Sequence, residues 1–366
     1  MPEQGKAAIV RQLDGTFRVE AVEFGEPLGR EVLVEVRAAG LCHSDLNVAS
    51  IDRGRRLPLV AGHELAGVVV ATGPDVERLR VGDHVVGTEV RACGACAACL
   101  TGRPTVCEHP DAVERDRAAA PRITQGGERI HTLGVSAFAT WSIADERQFV
   151  RIPDDVPFAE ASLLGCGVST GVGAVVNVAG VAPGETVAVF GLGGVGLSIV
   201  AGAVLSGATE IIAIDVEPAK LELALALGAT HAIRSGEVEV EAAVREIVPL
   251  GVDHAFDAAG ARAVAPTALR SLARGGGLYL IGIPRPGELL ELDTMRDVIG
   301  HQRMIRGVYM GGTNPQRDIP RYAEFYRQGR LPLEDLLSER VAIDEINRAY
   351  HSVPAHGARA VITDFS

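Results

Sequence analysis

Val187-Ala188-Val189-Phe190-Gly191-Leu192-Gly193-Gly194-Val195-Gly196 decides the fold. A short apolar run enters three glycines spaced G-x-G-x-x-G, and a helical pattern follows. In that strand–turn–helix context each glycine has a separate task. The first makes the tight turn, the second lets a pyrophosphate approach the backbone, and the third lets helix and strand pack closely. The free N–H groups and positive dipole end of the helix complete an anion cradle. Gly191, Gly193, Gly194, Val195 and Gly196 are therefore candidate dinucleotide contacts. Asp215 closes the next apolar run, where a carboxylate accepts hydrogen bonds from an adenine ribose and repels a 2′-phosphate. Glu217 follows and no Arg or Lys adjoins Asp215, which favours NAD over NADP. Taken alone, the glycines would also suit a flavodoxin-like or purely structural α/β domain.

Outward from this turn, strand and helix patterns alternate. Strands are expected at 186–190, 210–215, 253–257 and 277–283, with helices at 196–205, 219–227 and 264–274. Alternation of this kind predicts a parallel sheet covered on both faces. The small-residue apolar stretch 163–181 reads as one buried helix. The first 150 residues have another texture, of short strands and Gly-rich turns. Val32, Val34 and Val36 alternate with Glu31, Glu35 and Arg37, the pattern of a half-buried strand. Further strands are expected at 65–71 and 83–90, and 108–127 reads as a long surface loop. The tail returns to mixed texture, with a helix at 320–328 and a strand at 360–364.

The chain has 366 residues, 47% hydrophobic and 22% charged, which fits two or three globular domains. Its net charge of −12 leaves no footprint for nucleic acid or an anionic membrane. The longest basic run, Arg53-Gly54-Arg55-Arg56, reads as a solvated loop. No signal peptide and no apolar stretch of membrane-spanning length is readable, so a soluble cytoplasmic protein is expected. Thiols stay reduced there, and the 6 cysteines are then metal ligands or catalysts before they are disulfides.

Cys93, Cys96, Cys99 and Cys107 form C-x2-C-x2-C-x7-C. Four thiolates from one loop make a closed tetrahedral zinc site, which stabilises a fold without doing chemistry. The rival is an iron–sulfur cluster, whose motif usually continues x3-C-P, whereas Glu108 follows the fourth cysteine here. Cys42 and Cys166 remain, with Gly62-His63-Glu64 between them. Cys42, His63 and Cys166 make a three-ligand set that leaves a fourth zinc position open. Spacing alone does not bring the three together.

Gly40-Leu41-Cys42-His43-Ser44-Asp45, Gly62-His63-Glu64, the four-cysteine loop, Leu164-Gly165-Cys166-Gly167 and Gly191–Gly196 occur in the order seen in zinc-dependent medium-chain alcohol dehydrogenases. The chain resembles that family along essentially its whole length, and most of all the aryl- and allyl-alcohol branch. The resemblance implies a mixed α/β fold. Residues 1–167 would form a GroES-like β-rich catalytic domain, 168–307 a doubly wound Rossmann domain for NAD, and 308–366 a return to the catalytic domain. It implies two zinc ions per chain, one catalytic on Cys42, His63 and Cys166 and one structural on the four-cysteine loop. Glu64 looks like the carboxylate that approaches the metal, and Asp45 like the acceptor that orients the His63 ring. Ser44 matches the hydroxyl that takes the alcohol proton. His43 and Arg359 look like pyrophosphate contacts, and Asp215 and Lys220 like the adenosine-ribose pair. Thr170 and Val195 fall behind the nicotinamide, with Ile281 and Ile283 also beside the cofactor. Glu89, Thr132, Leu133, Ile283 and Tyr309 match pocket positions.

Two departures from the family stand out. Many relatives end the proton relay in a histidine where this chain has Asn47, and an amide cannot titrate. Proton release then goes through water or another group. Glu89 stands where relatives often have an aromatic, and it either favours a polar substrate or points to solvent. The expected activity is reversible oxidation of a hydrophobic primary alcohol to the aldehyde, with hydride transfer to NAD. The alternative is oxidation of a formaldehyde–thiol adduct, with Arg115 and Arg117 holding a carboxylate at the pocket mouth. A non-catalytic NAD-binding protein is a third reading, opposed by the complete ligand set. The expected partners are the small alcohol or aldehyde and further copies of the chain, as a homodimer or homotetramer.

Overall fold

The structure, a computed structural model, describes residues 3–116, 118–356 and 358–366, with the backbone alone over 352–356. Six parallel strands form one sheet. In spatial order they are His231–Arg234, Glu210–Asp215, Thr186–Phe190, Val252–Asp257, Leu272–Leu280 and Met304–Gly307. The chain starts at a central strand, winds to one edge and then crosses to the other. A crevice therefore opens at the carboxyl ends of Thr186–Phe190 and Val252–Asp257, where the winding reverses. Val187, Ala188 and Val189 are fully buried, as a strand covered on both faces requires.

Helix Gly194–Ser206 starts within the glycine turn and packs on helix Gly167–Gly173. Small residues permit that approach: a Cβ on Gly171 would lie 2.6 Å from the Val195 carbonyl oxygen. The expected single helix over 163–181 is in fact broken. Cys166 takes φ −141° and ψ −70°, the helical segments on either side meet at 55°, and the last turns widen into a π-helix over Ala174–Ala179. The break lifts Cys166 out of a regular helix and toward the cleft. The expected helix 264–274 ends at Arg270, and the next strand starts early, because Leu272 pairs with Val252 instead of continuing the turn. The short strands His231–Arg234 and Met304–Gly307 have too few apolar residues to announce themselves.

The remaining strands form two antiparallel-rich units. Glu3–Val10, Arg18–Phe24, Ile123–Gln125, Glu128–Thr132 and Leu59–Val60 close a small barrel. The second sheet is centred on Glu31–Gly40, which pairs with Leu65–Thr72, with Trp141–Asp145 and with Arg359–Asp364. The last pairing sets Val361 opposite Gly40 and so returns the C-terminal segment to the start of the chain. The central strand opens to solvent at Glu35 and Arg37, as its alternation suggested, but it is buried on both faces from Glu31 to Val34 and from Ala38 to Gly40. Glu31 is itself buried and is ion-paired with Arg115 and Arg122. Those two arginines come from the stretch read as a surface loop, which instead holds a short helical turn, Pro110–Val113, and the strand Ile123–Gln125. No single helix among the described residues is long and apolar enough to cross a membrane.

Candidate metal and cofactor site

Three separate segments deliver Cys42, His63 and Cys166. Cys42 caps the short helix His43–Ser50, His63 follows Gly62 after the strand Leu59–Val60, and Cys166 sits at the helix break. Gly62 takes φ +90°, a conformation that costs a Cβ-bearing residue about 1 kcal/mol or more. A Cβ there would also lie 2.7 Å from the Phe138 amide nitrogen. The fold brings one ligating atom from each of Cys42, His63, Glu64 and Cys166 within 4.8 Å of the others. Cys42 is held well below the usual thiol range, first by its hydrogen bond with Cys166 and then by the charge of Arg359.

The His63 ring is oriented from behind. Its Nδ1 lies 3.1 Å from Asp45 Oδ1, which also accepts from the Gly62 amide at 3.0 Å. Asp45 is buried, and the Tyr350 hydroxyl donates to its other oxygen at 3.5 Å. With Nδ1 so engaged, Nε2 faces the cluster. The Ser44 hydroxyl lies 3.1 Å from Cys42 Sγ and 3.3 Å from His63 Nε2, at the edge of the ligand set. Asn47 lies one helical turn further on, half-buried and with no side-chain hydrogen bond among the described residues that could relay a proton.

Glu64 is fully buried. Its Oε1 accepts from Arg359 Nη1 at 2.6 Å and from the Gly167 amide at 3.2 Å. Its Oε2 is buried without a hydrogen-bond partner among the described residues. Burial pushes this carboxyl up to about 7, against the pull of Arg359. An orphaned carboxylate oxygen beside two thiols and an imidazole is the donor a cation would satisfy.

The four-cysteine loop has the geometry of a closed site. Its sulfurs all lie within 4.8 Å of one another, with Cys93 to Cys99 at 4.0 Å and Cys96 to Cys107 at 3.9 Å. A tetrahedron with zinc–sulfur bonds of about 2.3 Å has edges of about 3.8 Å. An iron–sulfur cluster would hold its thiolates on separate irons, and so farther apart. Backbone amides of Ala95 and Cys96 point at Cys93 Sγ, at 3.4 and 3.3 Å, and those of Cys93 and His109 at Cys107 Sγ, at 3.2 and 3.4 Å. Such amides stabilise thiolate charge.

The glycine turn fits a dinucleotide. Gly191 takes φ +89°, and a Cβ added to Gly193 would meet nothing within 4 Å, leaving the space a pyrophosphate needs. Asp215 has a role the sequence did not disclose. Its Oδ2 accepts from the Leu192 amide at 2.7 Å, and its Oδ1 from Val216 and Glu217 at 2.8 and 3.0 Å. The carboxylate thus ties the glycine turn to the end of the neighbouring strand. Lys220 Nζ stands 4.0 Å from it. Arg359 passes beneath Gly167 and Gly194, where a Cβ would strike its guanidinium or stem. Burial, followed by the charges of Arg359 and Lys220, holds the His43 imidazole below its ordinary value and so in its neutral form near neutrality. Thr170 is buried against Met310, Val195 and Ile281 pack at the edge of the core, and Ile283 is exposed.

The pocket positions divide. Tyr309 is 58% exposed and feels the charges of Glu89, Arg91, Cys166 and His63, which places it near both the ligand cluster and the Glu89–Arg91 segment. Glu89 is half-buried there. Thr132 accepts from Arg122 at 3.4 Å, and Leu133 packs against the core of the β-rich part. Arg115 is bound to Glu31 and to the carbonyls of Glu26 and Ala120, so it is not held ready at the mouth. Arg117 lies outside the described residues. Sequence reading missed Tyr350 and Met310, which have no motif around them.

Family models match both halves of the molecule: an alcohol dehydrogenase GroES-like domain over residues 29–154 and a zinc-binding dehydrogenase over residues 194–328. The chain belongs to the zinc-dependent medium-chain alcohol dehydrogenase family, and it is an oxidoreductase. It is 35% identical to a geraniol dehydrogenase of Castellaniella defragrans, covering 95% of this chain and 94% of that one. It is 33% identical to an S-(hydroxymethyl)glutathione dehydrogenase of Synechocystis sp., covering 95% and 96%. The crystal structure of a benzyl alcohol dehydrogenase from Acinetobacter calcoaceticus superposes with a TM-score of 0.92 at 34% identity, covering 99% of each chain.

Proposed function

We propose that this alcohol dehydrogenase oxidises hydrophobic aryl, allylic or medium-chain primary alcohols to aldehydes, reversibly and with NAD as acceptor. Residues 1–167 and 308–366 form its catalytic part and 168–307 its cofactor domain. The observation that carries the reading is the convergence of Cys42, His63 and Cys166, with the Ser44 hydroxyl at their edge. These three residues would hold a catalytic zinc, and Cys93, Cys96, Cys99 and Cys107 a structural one. The catalytic zinc supplies Lewis acidity and the nicotinamide a hydride acceptor when bound. Ser44 takes the proton of the alcohol hydroxyl and passes it outward. Asp45 keeps His63 Nε2 aimed at the site. Glu64, paired with Arg359, offers a carboxylate oxygen that can exchange with a departing ligand. Asp215 and Lys220 hold the adenosine end, His43 contacts the pyrophosphate, and Arg359 neutralises it. Tyr309 and Leu133 exclude water from the carbinol carbon, and Thr170 stands behind the nicotinamide.

NADH formation by the zinc-loaded chain tests this, using benzyl, allylic, aliphatic and polyol alcohols beside a formaldehyde–thiol mixture. Preference for benzyl or allylic alcohols is expected. Turnover of the thiol mixture alone would replace the reading with formaldehyde oxidation. The engagement of Arg115 by Glu31 counts against that outcome.

A further inference from the structure

Tyr350 stands on the C-terminal helix Ile346–His356, far along the chain from the segments that deliver the ligand cluster. It is 5% exposed, and its ring fills an aromatic corner. The ring stacks on Phe17 with centroids 5.3 Å apart and meets Phe138 edge-on at 6.5 Å, while Phe17 and Phe138 meet each other at 5.8 Å. Every side of this corner is pinned. One helical turn before Tyr350, Asn347 accepts from the Phe17 amide at 2.9 Å and donates to the Phe17 carbonyl at 2.8 Å. The Phe138 amide donates to the Ala61 carbonyl at 3.2 Å, and the Ala137 amide to the Gly62 carbonyl at 2.9 Å. The corner is thus built onto the turn that presents His63.

Packing alone asks only for a phenylalanine here. A hydroxyl buried without a partner costs free energy, so a buried tyrosine is favoured where its O–H finds an acceptor. The acceptor is Asp45 Oδ2 at 3.5 Å. Burial, followed by the charges of Asp45 and Cys42, holds the phenol well above its ordinary range, so it remains a donor. The two oxygens of Asp45 are therefore divided. Oδ1 serves the His63 ring and the Gly62 amide, and Oδ2 faces Tyr350. The Cβ–Cγ torsion of an aspartate is soft. A carboxylate held from one side can turn about that bond and exchange its oxygens, whereas one held from both sides is fixed.

We propose that Tyr350 is a positioning residue of the alcohol dehydrogenase reaction: its hydroxyl fixes the Asp45 carboxylate, which in turn keeps His63 Nε2 aimed at the metal. The C-terminal helix then completes a site whose three ligands all come from the first half of the chain. The proposal rests on the catalytic zinc assignment above. Groups bonded directly to a metal-bound histidine are worth about 10–100-fold in metal affinity. Tyr350 acts one bond further out and across a long O–H···O distance, so about three- to tenfold is expected, the size of an ordinary net hydrogen bond.

Zinc release from the loaded chain into excess pyridylazoresorcinol reads both metals, with one phase from the cluster and one from the four-cysteine loop. Asp45→Asn identifies the cluster phase. Tyr350→Phe keeps the ring and removes only the hydroxyl. It should speed the cluster phase by the factor above and leave the loop phase unchanged, a split that general loosening of the fold would not produce. In the Asp45→Asn background the same substitution should add nothing, because its path is already cut. The unfolding midpoint should fall in Tyr350→Leu, which loses the ring, and far less in Tyr350→Phe. Equal falls would assign Tyr350 to packing alone and overturn the role. An unchanged cluster phase in Tyr350→Phe overturns it too, and so do equal changes in both phases or effects that add in the double variant. Zinc held by the wild type at the loop only would overturn the catalytic metal assignment, and this proposal with it.

Discussion

The four-cysteine loop and the Cys42–His63–Cys166 cluster use the same donor chemistry and are built in opposite ways. The loop draws all its ligands from residues 93–107, three of them half-buried and Cys96 buried, and closes them with its own backbone amides. The cluster draws its ligands from three distant segments and buries them under a paired Glu64–Arg359 and an oriented Asp45. Local assembly gives a set of four that leaves no room for substrate. Assembly by the whole fold gives three ligands, an orphaned carboxylate oxygen and an open side. Removing a ligand should therefore damage stability in one place and chemistry in the other.

The largest effect tests this directly. Cys166→Ser should lower turnover on the order of a thousandfold, with little change in unfolding midpoint. Cys93→Ser should lower the midpoint by several degrees and leave the surviving folded protein active. On the proposed assignment of one zinc to each site, metal analysis should fall from two ions per chain toward one in each case. If both variants lost activity and stability alike, the division between a chemical and a structural site would be wrong.

Next in size is the anchor behind the loop. Glu31→Gln leaves Arg115 and Arg122 buried with their charge unopposed, a loss of about 3 kcal/mol. Burial alone would raise the Glu31 carboxyl, but hydrogen bonding from Arg115 and the charge of Arg122 leave it below its ordinary value. A depressed carboxylate stabilises the fold fully above its unfolded value of about 4.3, and that contribution is lost as pH falls below it. Wild type and Glu31→Gln should therefore differ most near neutrality and converge in acid, as urea unfolding across pH would show. A constant gap would assign the loss to packing rather than charge.

Asp45→Asn sharpens the comparison within the cluster. The amide oxygen can still accept from both the His63 ring and the Gly62 backbone, but it carries no negative charge to hold the ring, and an NH2 replaces the oxygen that accepts from Tyr350. Zinc affinity or kcat/KM should drop about 10–100-fold. The four-cysteine loop should retain its metal, which zinc analysis after mild chelation can establish.

The same contrast governs what the sequence revealed. The loop was readable from spacing because its geometry is local. The glycine turn was readable because each glycine answers a local demand of the backbone. Cys42, His63 and Cys166 were readable only as a ligand inventory, and through likeness to a family, since their convergence depends on a helix broken at Cys166. In 163–181 the local hint of that break is the pair of glycines, Gly165 and Gly167, on either side of Cys166, and a run of small apolar residues that suits a straight buried helix outweighs it. The pairing of Glu31 with Arg115 and Arg122 was hidden for a related reason. Charges in sequence imply solvent until a partner distant in the chain is brought beside them. Asp215 was recognised for its ribose, while its bond to the Leu192 amide depends on two strand ends meeting.

The smallest expected effect concerns where the proton goes. Ser44 lies at the cluster edge, and the helix then places half-buried Asn47 one turn on. An amide can orient water but cannot take up a proton, so release to solvent depends on water or hydroxide. Asn47→His would place a group of ordinary value about 6.5 at this point. Above that value the imidazole is neutral and can accept, and below it the ring is already charged and cannot. Turnover should therefore rise a fewfold between about pH 6.5 and 8, with no gain in more acidic buffer and a shrinking gain where hydroxide is abundant. The measurement is kcat against pH for both proteins, with the solvent deuterium isotope effect at each point. An identical profile would show that proton release does not limit turnover, and would leave Ser44 as the last residue of this chain that the proton needs.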